Sequence, residues 1–424
     1  MSQRSQIAWF WAVIVVIAAV AVVATSLTRP GHMTAATSSA QASGYQIADD
    51  VSHCGVGWGQ ADASDDAAAA AGAGDTAAPA PAKVAGGVQD FTIANTNING
   101  EDVTLQNVDS KQVFLELESI GPGAKVPARV VLAKGRYRFV CYPMDENPVL
   151  GATVEVGAAP AGSVLTPGVV PIDNNQLILA AKAYGAWVDG RLPTLQKQVA
   201  QLDDDAEEGD LAAAKADWLT AHLSYETLGA AYDAFGDFDA AINGTPASGT
   251  TALTDPDLTG FHKIEALLWS GAPAAKIAAT TRQLKTDVAA LAAAPGTDRV
   301  DPLDVGLRAH EIVENAIQFE LTGQTDAGSH TNLATIDANL SGSRQALSFL
   351  AGLMKPRYDR LSDTEAALDS TQKLVETFRR SDGSWTPLPS LTRMQHEQLD
   401  AAMDRTVELL APVAEIATPR KVAP

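Results

Sequence analysis

The spacing of hydrophobic positions changes character twice along this chain. It opens with an unbroken apolar run, Ile7 to Ala24, behind Arg4. As a helix that run spans roughly 27 Å, close to the hydrocarbon thickness of a bilayer and longer than the core of an ordinary signal peptide. Residues 1–28 are therefore expected to be a signal anchor or a signal peptide, and the length favours the uncleaved anchor. Ala24-Thr25-Ser26 offers a cleavage point for the alternative. Either way the rest of the chain is expected outside the membrane, as extracytoplasmic domains of a single-pass cell-membrane protein or as a secreted one. Residues 29–44 are small and polar and read as a tether.

Short alternating runs come next. Phe91-Thr92-Ile93, Val103-Thr104-Leu105, Val113 to Leu117, Arg129 to Leu132, Tyr137 to Val140 and Thr153 to Val156 are separated by Asn99-Gly100, Gly121-Pro122-Gly123 and Lys134-Gly135. Period-two segments between turn residues predict strands, and this number of them predicts a small β-sandwich over 45–157. Within it, residues 59–86 contain almost no large apolar side chain and read as a disordered insertion.

After a Gly- and Pro-containing linker at 158–171 the period becomes helical. Amphipathic, Ala-rich segments cover 173–202, 208–234, 257–270, 273–294, 301–321, 330–353, 356–380 and 390–416. Gly236, Pro256, Gly271 and Pro387 lie among the breakers between them. These segments predict an all-α bundle over 172–416, with a tail at 417–424. The fold class is multi-domain, α and β.

Composition narrows the function. With 30 basic against 51 acidic residues the net charge is −21. A nucleic-acid binder needs a basic stripe, and none is present. Cys54 and Cys141 are far apart with no CxxC pair, which excludes zinc ribbons and thioredoxin sites. Outside the membrane a disulfide is one reading of the two. A metal–thiolate pair for copper or iron and free thiols are the others.

Three of the seven histidines stand beside carboxylates at helical spacing. His262 and Glu265 are i, i+3, while His222 and Glu226, and His310 and Glu314, are i, i+4, with Glu311 beside the last pair. Each pair shares one face of its helix. Singly, each also fits a surface ion pair. Together, carboxylates and imidazoles on facing helices are how bundles assemble iron and manganese sites. The apolar company of His262, from Phe261, Ile264, Leu267 and Leu268, argues that this pair is inside, where a charge needs a partner or a metal.

At this point a resemblance becomes specific. The words Tyr225-Glu226, Phe235-Gly236-Asp237-Phe238-Asp239, Gly260-Phe261-His262-Lys263-Ile264-Glu265, Ala309-His310-Glu311-Ile312-Val313-Glu314 and Gly328-Ser329-His330-Thr331-Asn332-Leu333 resemble the imelysin-like domain of EfeO-type iron-uptake proteins. The likeness runs over about 170–415. It implies a metal site with Gly260, His262 and Glu265 as the G-x-H-x-x-E hallmark, and Glu226, Glu311 and Glu314 as further ligands. It also implies Fe3+ or Fe2+ as the bound metal, an EfeU-type permease and an EfeB-type haem peroxidase as partners, and no enzymatic activity. The β segment is similar to the cupredoxin-like domain of the same proteins. That likeness makes copper a candidate there beside Cys54, Cys141 and Met144, although His53 is the only histidine at hand.

The alternative is a metallopeptidase using His262 and Glu265, or ferrous oxidation at the β domain. In the inverted zinc-protease word H-x-x-E-H a second histidine follows the glutamate. Here Ala266 takes that position, and one imidazole with several carboxylates suits iron or manganese better than a catalytic zinc. If the ligand assignment is right, the carboxylates of Glu226 and Glu265 and the imidazole of His262 converge within ~5 Å.

Overall fold

The computed structural model describes residues 44–59, 82–294 and 300–421. The expected anchor at 1–28 lies outside them, as does most of the tether. Among the described residues no helix is long and apolar enough to cross a membrane.

Strand β1 (Tyr45–Asp49) runs parallel to β3 (Gly87–Asn95), which pairs antiparallel with β6 (Lys125–Leu132). The second sheet has the order β2 (Ala82–Val84), β9 (Val154–Val156), β7 (Gly135–Pro143), β4 (Glu101–Asn107), β5 (Val113–Ile120), with β8 (Val149–Leu150) on β7. Alternation does what it predicts. In β3, Gly87, Gln89, Phe91, Ile93 and Asn95 are buried and the residues between them are more open. Side chains of both sheets share one core, so this is a two-layer sandwich. At its centre Trp58, Phe91 and Phe139 meet edge to face with centroids 5.1–5.5 Å apart. Burying each of these rings contributes roughly 1.5–3 kcal/mol.

One expectation changes here, and one open choice closes. Strand β2 lies inside the segment read as a disordered insertion: Ala82, Lys83 and Val84 pair in parallel with Val154, Glu155 and Val156. Such a short strand has too little alternation to register in sequence. Residues 60–81 lie outside the described ones. Cys54 and Cys141 form a disulfide. Both sulfurs are therefore consumed, and no thiolate is left for the copper or iron alternative. His53, the only imidazole at hand, is exposed and paired with Asp50.

The helical region comprises α1 (Asn174–Glu208), α2 (Leu211–Glu226), α3 (Tyr232–Phe235), α4 (Asp237–Asn243), α5 (Gly260–Ser270), α6 (Ala274–Ala293), α7 (Asp304–Asn315), α8 (Asn332–Met354), α9 (Leu361–Glu376) and α10 (Arg393–Ile416). Helix α1 starts with a capping box, Asp173 with Gln176, and ends at Gly209 in the left-handed conformation. The expected helix 208–234 is two, because the chain turns after Glu226. Gly229 then packs where a Cβ would meet Ile312 at 2.8 Å, and the Tyr232 ring stacks on Tyr225.

The last described residues hold sandwich and helices together. Arg420 bonds Glu116 of β5 at 2.6 Å and Glu415 of α10 at 2.8 Å. Lys421 bonds Asp102 of β4 at 2.7 Å, and its carbonyl accepts from the Tyr142 hydroxyl of β7. Arg357, just beyond α8, donates to the carbonyls of Val170 and Pro171 in the linker.

Candidate metal centre

Helix α5 positions the first two residues. It begins at Gly260, whose φ of +75° is left-handed and whose Cβ would lie 2.1 Å from the Ile242 carbonyl oxygen. Only glycine fits there, for sign of φ and for space. Phe261, Ile264, Leu267 and Leu268 bury the apolar stripe of α5. The Trp218 indole of α2 donates to the Phe261 carbonyl at 3.0 Å, fixing α5 against α2. Lys263, buried, donates to the Asp255 carbonyl at 2.7 Å and ties down the loop before the helix. His262 and Glu265 are thereby carried inward together.

Helix α2 supplies His222 and Glu226. His222 is fully buried, stacked on Trp218 and edge-on to His262 with centroids 5.5 Å apart. Its Nε2 lies 3.1 Å from Glu226 Oε1, poorly aimed, so neither ring nitrogen has a well-directed hydrogen bond. Glu226 also accepts from Asn243 at 2.7 Å.

The third contribution comes from the loop between α7 and α8. A π-helical turn, Ala316–Glu320, ends α7 and buries Glu320, whose Oε2 has no partner. Such turns insert a residue and re-aim the side chains beyond them. Asp326 then sits in the left-handed region at φ 50°. Its Oδ2 accepts from Thr335 at 2.6 Å, and its Oδ1 is buried and unpartnered. Holding a non-glycine residue there costs about 1–3 kcal/mol, strain of the kind that gathers at functional sites.

One ligand atom each from His222, His262 and Asp326 lie within 4.8 Å of one another. Glu226, His262 and Glu265 do not form such a set among the described residues. Glu226 is held by His222 and Asn243, while Glu265 Oε1 accepts the backbone N–H groups of Gly328 and Ser329 at 2.9 and 2.7 Å. Glu265 thus fixes the loop that carries Asp326. Glu311 is bonded by Arg308 at 2.7 Å, and the mostly exposed Glu314 faces His310 at 3.8 Å. Neither joins the convergent set. The structure brings His222 and Asp326 into the set with His262, while Glu320 acts on His222 through its charge. Asp326 is close to the Gly328-Ser329-His330 word, but a loop residue has no periodicity to betray it. Glu320 left one sign, an acid between Phe319 and Leu321.

The electrostatics fit a cation. Burial alone disfavours a charged His222, but Glu226, Asp326 and Glu320 outweigh it and raise its pKa to about 9. Burial, reinforced by that charge, pulls His262 down to about 4. Glu226, despite burial, is held below its usual value by His222. Burial and repulsion from Asp326 and Glu226 push Glu320 well up. His262, Glu265 and Asp326 line an open cleft of about 580 Å³ rimmed by Thr250, Leu253, Trp269 and Gln324, with Ala266 in its wall. Two imidazoles and a carboxylate with open positions are a donor set for non-haem iron, and also one that zinc accepts.

A family signature described as imelysin, peptidase M75, matches residues 180–413, which contain every residue of this cleft. The chain is similar to the "Iron uptake system component EfeO" of Escherichia coli strain K12. The two are 26% identical over 272 residues, 64% of this chain and 71% of that protein. Proteins of the same name from Shigella flexneri and Shigella sonnei strain Ss046 match to the same extent.

Proposed function

This chain belongs to the imelysin family and is of the EfeO type, and on that premise we propose that it captures iron outside the cytoplasm and passes it to a membrane permease. The observation that carries the reading is the convergence of His222, His262 and Asp326, buried, with His222 Nδ1 and Asp326 Oδ1 lacking a hydrogen bond. Buried polar atoms left this way cost free energy unless something binds them. Iron is the cargo. It enters by the cleft, where His262 and Asp326 meet it, and His222 completes the set from behind. The proton on His222 leaves as the metal takes its nitrogen. Glu226 and Glu265 orient what they touch. An uptake component must also release its load, and a site open to a cleft permits that. An EfeU-type permease as the recipient and an EfeB-type haem peroxidase as a further partner rest on the family likeness, as does attachment to the membrane by residues 1–28.

Iron titration of the full chain tests this. One equivalent should bind, and His262→Ala should abolish it. Unchanged iron stoichiometry in that variant sinks the proposal.

The second imidazole favours one other reading, a zinc-dependent peptidase, since His222 stands in for the histidine absent at Ala266. In that reading Glu265 is the base. Its Oε1 is already engaged by two backbone amides, a holding role rather than one of proton transfer. The zinc-loaded chain is expected to cleave no peptide in a manner that Glu265→Gln abolishes; such cleavage would replace the uptake reading.

A further inference from the structure

The cleft over the candidate centre is larger than a metal ion requires. Its volume is about 580 Å³. A six-coordinate ion held by His222, His262 and Asp326 keeps three positions open, and three waters fill only about 90 Å³ at roughly 30 Å³ each. Most of the space therefore serves neither the metal nor its water. The volume is that of a site for a small organic molecule, roughly 300–1,000 Å³.

The walls define what kind of molecule fits. His262, Glu265 and Trp269 are i, i+3 and i+7 on α5, so the indole lies on the metal's side of the helix, about 10 Å along the axis from His262. Trp218 meets Trp269 edge-on with centroids 5.3 Å apart, and Lys215 Nζ lies 4.9 Å from its ring centroid, so the indole is fixed in place. A Cβ at Gly328 would stand 3.0 Å from Trp269 Cβ and 3.2 Å from Glu265 Oε1, so the loop comes this close to α5 only without a side chain there. On the rim, Leu253 is 46% exposed. The hydroxyls beside it are already engaged, Thr250 with the Ala247 carbonyl at 2.6 Å and Thr251 with Thr254 at 3.0 Å. The free surface of the walls is thus largely aromatic and aliphatic.

Charge narrows the choice further. The described residues lining the cleft include Glu265 and Asp326 but no Lys or Arg. Lys263 is engaged by the Leu253 and Asp255 carbonyls, and Lys215 by the indole. A polycarboxylate chelator would press several negative charges on two acids, with only the metal to offset them. We propose that the centre holds iron as a ternary complex with a small chelator, one of at most a single negative charge whose planar, apolar part packs on Trp269. This deepens the uptake reading and rests on it: the cargo is an iron chelate rather than the aquated ion. The chelator's donor atoms fill positions open to the cleft, and Trp269 holds the rest of it.

The test loads the full chain with one equivalent of Fe2+, oxidises it in air and adds a hydroxamate, followed by its iron charge-transfer absorption and by metal analysis after desalting. Benzohydroxamate should bind at one per iron, with the iron remaining on the protein. It should bind about fivefold more tightly than acetohydroxamate, which lacks the ring, beyond any difference the two show toward free Fe3+. Trp269→Ala should abolish that preference and leave iron stoichiometry unchanged, while Trp269→Phe should keep most of it. Radiolabelled citrate should not stay with the iron-loaded chain after desalting. No hydroxamate on the iron-loaded chain, equal affinity for the two, a preference that survives Trp269→Ala, or retained citrate overturns the proposal while iron still binds. Absence of bound iron in the parent is a different result, which sinks the uptake reading and this proposal with it. Should Trp269→Ala fail to fold, the parent's preference decides: present it supports the contact, absent it overturns it.

Discussion

The sandwich and the bundle both bury acids, and they answer them differently. In the bundle Glu226, Asp326 and Glu320 face His222, raised to about 9, and His262, depressed to about 4. In the sandwich Asp49 and Glu101 face an amide, a carboxamide and other acids. The same burial of carboxyl groups is thus answered by imidazoles in one region and by amides alone in the other. The bundle's site opens on a cleft suited to loading and release. In the sandwich Asp49 sits beside the Cys54–Cys141 disulfide, away from that cleft.

The largest effect that would break this contrast is expected at Asp326. Asp326→Ala should remove stoichiometric iron as completely as loss of His262, read by metal analysis after desalting. Retained iron would shift the site toward Glu226 and Glu265. Next, Glu226→Gln and Glu265→Gln should each cost about 10–100-fold in iron affinity, the range for residues that orient ligands. Calorimetry separates that from outright loss, which would make either residue a ligand. Third, replacing Cys54 and Cys141 together by Ala should destabilise the sandwich by about 2–5 kcal/mol and leave iron stoichiometry unchanged. A joint loss would show that the two regions do not act separately.

A fourth experiment sharpens the comparison through pH. His222 is raised above its unfolded value, so in the metal-free chain its contribution is complete below about 6.5 and is lost as pH rises through about 9. His262 is depressed, so its contribution is complete above about 6.5 and is lost as pH falls toward about 4. Melting temperature should therefore fall on both sides of about 6.5, and His222→Phe should remove the alkaline decline. Iron affinity should rise between pH 7 and 9 as the His222 proton is more easily displaced. The smallest effects belong to Glu311→Gln and Glu314→Gln. Less than twofold change in iron affinity and within about 1 kcal/mol of stability are expected, as for exposed or half-exposed ion pairs. A large loss at Glu311 would reinstate that helix as part of the centre.

Much of this was readable from sequence. Alternation placed six strands, and breakers separated most helices, because a sandwich with one shared core and an amphipathic bundle bury side chains at regular intervals. His262, Glu265 and Glu226 were legible as acids and imidazoles on apolar helices. What they touch was not. Glu265 turns to two backbone amides, and Glu226 to His222 and Asn243, because the packing of α2 on α5 sets those directions. Asp326 lies on an irregular loop and Glu320 on a π turn that breaks the α-helical phase, so no periodic pattern marks either. Arg308, three residues before Glu311, was the overlooked sign that this acid already had a partner.

The clamp at Arg420 and Lys421 has a consequence in time. Its bonds to Glu116 and Tyr142 join residues 304 and 279 positions apart. Chains are made from the amino end, so the sandwich can close long before those bonds exist. The helices fill the interval, and these particular bonds form only once residues 420 and 421 have emerged. A nascent chain interrupted before that point would carry a finished sandwich and a complete set of cleft residues, yet lack the clamp bonds that fasten one to the other. The clamp therefore joins the two regions late, after each has had its own residues to fold with.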